Sequence, residues 1–252
     1  MKNKMKVMNF RFSSLFSNCI ISTVLLCLTI QKESMKQNVF MDLGFVVDSS
    51  ASFKEHYNLE KQFVKQIAGH FDLGRYKTRT SLLTYSNYVN TLSKLSDFHT
   101  EKELSAVVNS APFMGSISRL DKALAETEES MFTVNNGGRV GVQKVLVVLT
   151  DDYSESSKEA FLIGKRIRDQ QNVHIIVVAV GRAISKGSLG NLGDQVFYID
   201  HYSGLGSIEL QIQLKNAITK QGNLTTMKVF LVFEFFINER KKCILLCYRY
   251  VY

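Results

Sequence analysis

The chain has 252 residues, 45% of them apolar, and a formal net charge of +8, which is enough for one domain of about 150 to 200 residues with extensions. The excess charge sits at the ends: residues 1–39 carry six basic and one acidic residue, residues 40–222 twenty of each, and residues 223–252 five and two. The middle therefore offers no basic stripe of the kind a nucleic-acid surface needs, and nucleic acid is excluded as a partner.

At the N-terminus, Lys2, Lys4, Lys6 and Arg11 precede the apolar run of residues 19–30. That run is shorter than the roughly 18 to 20 residues of a spanning helix, so the pattern predicts a secretory signal over residues 1–35, export, and no membrane span in the mature chain. Cysteine is limited to Cys19, Cys27, Cys243 and Cys247, and His56, His70, His99, His174 and His201 show no ligand spacing. Zinc is not suggested.

Residues 43–47 form an apolar, partly β-branched run that reads as a strand buried on both faces, leading into Asp48-Ser49-Ser50-Ala51-Ser52. The carboxylate thus falls at the carboxyl end of a strand, the rim where open parallel sheets bind ligands. One acid and two hydroxyls spaced two apart are a candidate oxygen cage for a hard cation, although the same residue types also tighten turns and cap helices.

Leu59, Phe63, Ile67 and Phe71 then recur every four residues, the stripe of an amphipathic helix. Residues 80–85 and 88–92 read as two strands around Ser86-Asn87, which implies one antiparallel edge strand. A helical stretch over 101–108 leads to Pro112, the only proline, and Ser118 lies in the loop before a helix lined by Leu120, Leu124, Thr127 and Met131. Asn135-Asn136-Gly137-Gly138 is a loop. Residues 145–149 make a second doubly buried strand, ending at Thr150-Asp151-Asp152, and residues 175–180 a third, with a helix over 158–169 between them.

Strands alternating with helices predict an α/β fold, a doubly wound and mostly parallel sheet with helices on both faces. Residues 203–221 fit either a strand (Ile208, Leu210, Ile212, Leu214) or a helix (Leu210, Leu214, Ala217, Ile218), and their length and position favour a closing helix. Beyond them, two short apolar runs at 230–237 and 243–247 flank Arg240-Lys241-Lys242. Neither reaches spanning length, and residues 223–252 are expected not to dock on the domain.

In a doubly wound sheet the first and fourth strands are neighbours at the switch point, so Asp48 and Asp151 are expected to face each other across one crevice. With Ser118 they make a set of two carboxylates and three hydroxyls, an oxygen shell that suits Mg²⁺.

These segments, together with Glu60-Lys61-Gln62-Phe63-Val64 and Leu83-Thr84-Tyr85-Ser86, make residues 40–222 resemble a von Willebrand factor type A domain of the kind found in matrilins, collagen VI chains and integrin α subunits. The resemblance implies the strand order 3-2-1-4-5-6 and a metal-ion-dependent adhesion site formed by Asp48, Ser50, Ser52, Ser118 and Asp151. It implies Mg²⁺, or Mn²⁺ or Ca²⁺, as the cofactor. The expected partner is an extracellular protein, collagen or another matrix component, that completes the shell with an acidic side chain. Three positions depart from the family pattern: Ala51 and Asp152 stand where glycine is usual, and Ser118 where threonine is usual. An acid at 152 near the ion would lower its net charge and its pull on an acidic ligand.

The implied function is a secreted, non-enzymatic adhesion or matrix-assembly module. One alternative is a metal-independent type A scaffold. Another is a Mg²⁺-dependent phosphohydrolase using an aspartate nucleophile, which needs a second acid two residues on, where Ser50 stands.

Overall fold

Six strands build one sheet in the computed structural model, which describes residues 39–97, 99–151, 157–181 and 189–220. They are β1 (Met41–Asp48), β2 (Arg79–Tyr85), β3 (Val89–Ser93), β4 (Gln143–Thr150), β5 (Val173–Val180) and β6 (Gln195–Ile199). Their order is β3-β2-β1-β4-β5-β6, parallel throughout except for β3, which pairs antiparallel with β2. This is the expected doubly wound sheet. β6 is formed by a segment that the sequence pattern left unassigned.

The central strands read as unbroken apolar runs because both of their faces are covered, and the pleat sends alternate residues to two separate cores. Leu43, Phe45 and Val47 of β1, Val145, Val147 and Leu149 of β4, and Ile176, Val178 and Val180 of β5 line one face. Helix α1 (Tyr57–Ala68) packs there through Phe63, Val64 and Ile67, and α2 (Glu101–Ser110) through Leu104 and Val108. A closing helix α5 (208–220) joins them through Leu210, Leu214, Ala217 and Ile218. Ile208 and Ile212, the residues that fitted a strand, are exposed. The helical period therefore won because only that register buries a continuous stripe. On the opposite face, α3 (Leu120–Glu126) contributes Leu120, Ala123 and Leu124, and α4 (Ser157–Gln171) contributes Ala160, Ile163 and Ile167.

Local chemistry sets several of these boundaries. Thr100 caps α2 in a reciprocal box: the Glu103 N–H donates to the Thr100 hydroxyl, and the Thr100 N–H donates to the Glu103 carboxylate at 2.8 Å. Past α3 the helix widens into a π turn, Thr127–Met131, which ends where Met131 and Phe132 meet the sheet at Gly44. A Cβ on Gly44 would lie 2.4 Å from Met131 Sδ and 3.1 Å from Leu146 Cδ1. Gly44→Val should therefore cost about 1–3 kcal/mol through overpacking, read as a lower denaturant midpoint. An unchanged midpoint would mean that the π turn yields freely.

Among the described residues no helix is long and apolar enough to cross a membrane. The expected signal segment, the tail at 223–252, and Asp152 all lie outside the described residues.

Candidate functional site

The topology reverses between β1 and β4: the chain leaves β1 towards β2 on one side and returns to β4 on the other. In open α/β sheets such a reversal marks the rim, at the carboxyl ends of the strands, where ligands bind. Asp48 is the last residue of β1, and Asp151 directly follows β4.

The turn after β1 folds around the Asp48 carboxylate. Its Oδ1 accepts from the Ser50 N–H at 2.8 Å, and its Oδ2 accepts from Ser118 Oγ, seventy residues away, at 2.8 Å. Ser50 Oγ and Ser52 Oγ share a hydrogen bond of 3.0 Å. The loop that carries Ser118 is fastened to this turn by backbone bonds: the Gly115 N–H donates to Ser49 O, and the Ala51 N–H donates to Ser116 O. The Met114 N–H donates to Ser49 Oγ at 2.9 Å. Ser116 takes φ 74°, an unusual left-handed conformation for a residue with a side chain. Asp48, Ser50, Ser118 and Asp151 are buried while Ser52 is exposed, so the group opens to solvent on the Ser52 side.

The electrostatics of the site are clearest at Asp48. Burial first, and then the charge of Asp151, raise the Asp48 carboxyl to about 6, against hydrogen bonds from Ser50 and Ser118 that pull it down. No cationic group contributes. Among the described residues no three acidic, histidine or cysteine side chains form a metal cage of their own. Among the described residues an ion would take hydroxyl oxygens as well as carboxylates, and the donor set present fits that need. Two acids and three hydroxyls suit a hard divalent cation, which would also supply a countercharge.

Sequence reasoning named Asp48, Ser50, Ser52, Ser118 and Asp151, and the structure gathers them at one rim. It did not foresee Glu60. This residue lies in the first turn of α1, is fully buried, and has no hydrogen-bond partner on either carboxylate oxygen. Burial first, and then the charges of Asp48 and Asp151, push its carboxyl well above the usual range. The available signal was its position three residues before Phe63 and four before Val64, on the stripe that faces the core. Tyr85 was also missed; buried beside Asp48, it donates its hydroxyl to Thr150 Oγ1 at 3.2 Å. Its signal was an aromatic residue at the end of a strand, which by pattern reads as core. Histidines are scattered: His56 stacks on Tyr202 with ring centroids 4.1 Å apart, and His174 pairs with Asp194 at 3.1 Å.

A family model of the von Willebrand factor type A domain matches residues 42–211. The human collagen alpha-6(VI) chain is 29% identical over 209 residues, covering 80% of this chain and 9% of that one. Human matrilin-1 is 29% identical over 184 residues, covering 69% of this chain and 36% of its own length. This chain thus spans well under half of those relatives. Among solved structures, proximal thread matrix protein 1 of the mussel byssus, with a zinc-occupied MIDAS motif, superposes with a TM-score of 0.62 at 22% identity. It covers 70% of this chain and 48% of its own, and at that identity the likeness establishes the fold.

Proposed function

The chain belongs to the von Willebrand factor type A domain family, and from that premise we propose that it is a secreted, non-enzymatic adhesion or matrix-assembly module that binds an extracellular protein ligand through a divalent cation. Asp48, Ser50, Ser52, Ser118 and Asp151 hold the cation, Mg²⁺ or alternatively Mn²⁺ or Ca²⁺. The observation that carries this reading is the Asp48 carboxylate, held by Ser50 and Ser118 at the rim it shares with Asp151, and raised first by burial and then by the charge of Asp151. When bound, the ion supplies a Lewis-acidic position for a carboxylate of the partner. With only two carboxylates in the set, a divalent ion is not overcompensated and keeps its attraction for that acid.

The surroundings support a protein ligand. Phe113 and Ile117, on the loop that delivers Ser118, are exposed, as is Tyr88 in the β2–β3 turn, whose Ser86 O accepts from the Arg119 N–H. Exposed apolar side chains beside a charged centre offer the mixed contact that a folded partner fills. The similarity to collagen VI and matrilin-1, and the zinc-occupied motif of the mussel protein, point the same way. A phosphohydrolase is disfavoured because Ser50, which donates its N–H to Asp48, stands where such a mechanism needs an acid.

Collagen and other matrix proteins immobilised on a surface should retain the native chain in Mg²⁺, release it in EDTA, and fail to bind Asp151→Ala. Retention that survives both EDTA and Asp151→Ala would replace this reading with a metal-independent type A scaffold.

A further inference from the structure

Glu60 occupies a place that the packing of α1 reserves for an apolar side chain. Its neighbours on the same helix face, Phe63, Val64 and Ile67, all belong to the core that covers β1 and β4. A carboxylate there forfeits the burial gain of a leucine or valine, and it finds no hydrogen bond in return. Its place in the first turn of α1 favours a negative charge only modestly. Its place is beside the ion site: α1 is the helix that follows the Asp48–Ser52 turn, Glu60 lies in its first turn, and the face it shares with Phe63 and Val64 covers β1 and β4, the strands that end at Asp48 and Asp151. The charges of those two acids act on it after burial does. Glu60 is thus a buried acid with no hydrogen bond to either oxygen, and such a group calls for a compensating charge.

We propose that Glu60 is a third acid of the ion site, a positioning residue behind the cage that strengthens cation binding from outside the ligand set. Since Asp48, Asp151 and Glu60 do not themselves assemble a metal cage, Glu60 acts through space or through solvent held at the ion. Residues in this outer position set how tightly an ion is held. They also set how much charge it keeps for a partner, so this acid trades ligand attraction for ion retention. The inference rests on the metal reading above and is separable from it by experiment.

The test is calorimetric titration of the full chain with MgCl₂ and with MnCl₂ at pH 7.5, alongside melting in EDTA, for the native protein, Glu60→Gln, Glu60→Asp and Glu60→Leu. Glu60→Gln keeps the shape and removes the charge, and it should weaken cation binding roughly tenfold to a hundredfold, the usual range for outer-shell partners. Glu60→Asp should recover part of that affinity. In EDTA, Glu60→Gln and Glu60→Leu should melt no lower than the native protein, since each relieves a buried, unsatisfied acid. A merely structural Glu60 would do the reverse, lowering the metal-free melting temperature and leaving affinity alone. Native-like cation affinity in Glu60→Gln overturns the assignment and leaves the five-residue site standing. A native chain that takes up neither cation overturns both.

Discussion

Saturating Mg²⁺ should raise the melting temperature of the native chain by about 5–10 °C, and Asp151→Ala should abolish that rise. A ligand at about one hundred times its dissociation constant stabilises the native state by about 2.7 kcal/mol. A domain of this size gains roughly 2–4 °C per kcal/mol. Without the ion the acids work against folding, and the sign follows from Asp48. Its carboxyl is raised from 3.8 to about 6, so the folded state holds that proton more tightly than the unfolded chain does. Stability is therefore lost as pH climbs through that window, and the whole penalty, at most about 3 kcal/mol, is present above it. In EDTA, Asp48→Asn should accordingly melt higher than the native protein at pH 7.5, and the gap should close towards pH 4. A gap that widens on acidification would contradict the burial and repulsion assigned to Asp48.

At the opposite end of β1, Arg139→Ala should cost about 3–5 kcal/mol, the range for breaking a buried ion pair by removing one partner. Asp42 is fully buried and receives two bonds from Arg139: the backbone N–H donates to Oδ2 and Nε donates to Oδ1, each at 2.8 Å. Arg139 also donates to the Met41 carbonyl at 2.6 Å and lies over the Phe40 ring, 4.1 Å from its centroid. Removing the guanidinium leaves a buried carboxylate without its countercharge, holding only the backbone N–H of residue 139. The double change Asp42→Leu with Arg139→Met should recover most of the loss, because an apolar pair of similar volume needs no partner. Chemical denaturation checks both. Cation affinity should be untouched in the double variant, since this pair sits at the far rim of the sheet from Asp48. A single variant as stable as the native protein would show that water reaches Asp42.

The elements that could be read ahead of the structure are those whose signal is local. Residues 43–47, 145–149 and 175–180 announce central strands because strands covered on both faces must be apolar at every position. The pair of runs around Ser86-Asn87 announces a hairpin because a short polar turn leaves little else possible. The motif from Asp48 to Ser52 is equally local, since three of the five proposed ligands fall within five residues, and the chain order of strands and helices places Asp151 opposite them. β6 was left unassigned although Val196-Phe197-Tyr198-Ile199 is an apolar run, because it is an edge strand whose run is only four residues long and half-buried at every position. The π turn escaped because nothing in its own periodicity marks it, and the side chains at its end, Met131 and Phe132, lie against Gly44, eighty-seven and eighty-eight positions away in the chain.

Glu60, Ser118 and Arg139 mark the same boundary within the sites. Glu60 reads as one more charge on a helix until α1 is rotated by its apolar neighbours, which turn that position inward. Ser118 meets Asp48 only because the loop after Pro112 is pinned to Ser49 and Ala51 by backbone hydrogen bonds. Arg139 meets Asp42 across ninety-seven residues. Periodicity records whether a residue is buried, because burial is a property of one element. Which charges then share an interior is set by how elements pack, and that information is spread over the whole chain.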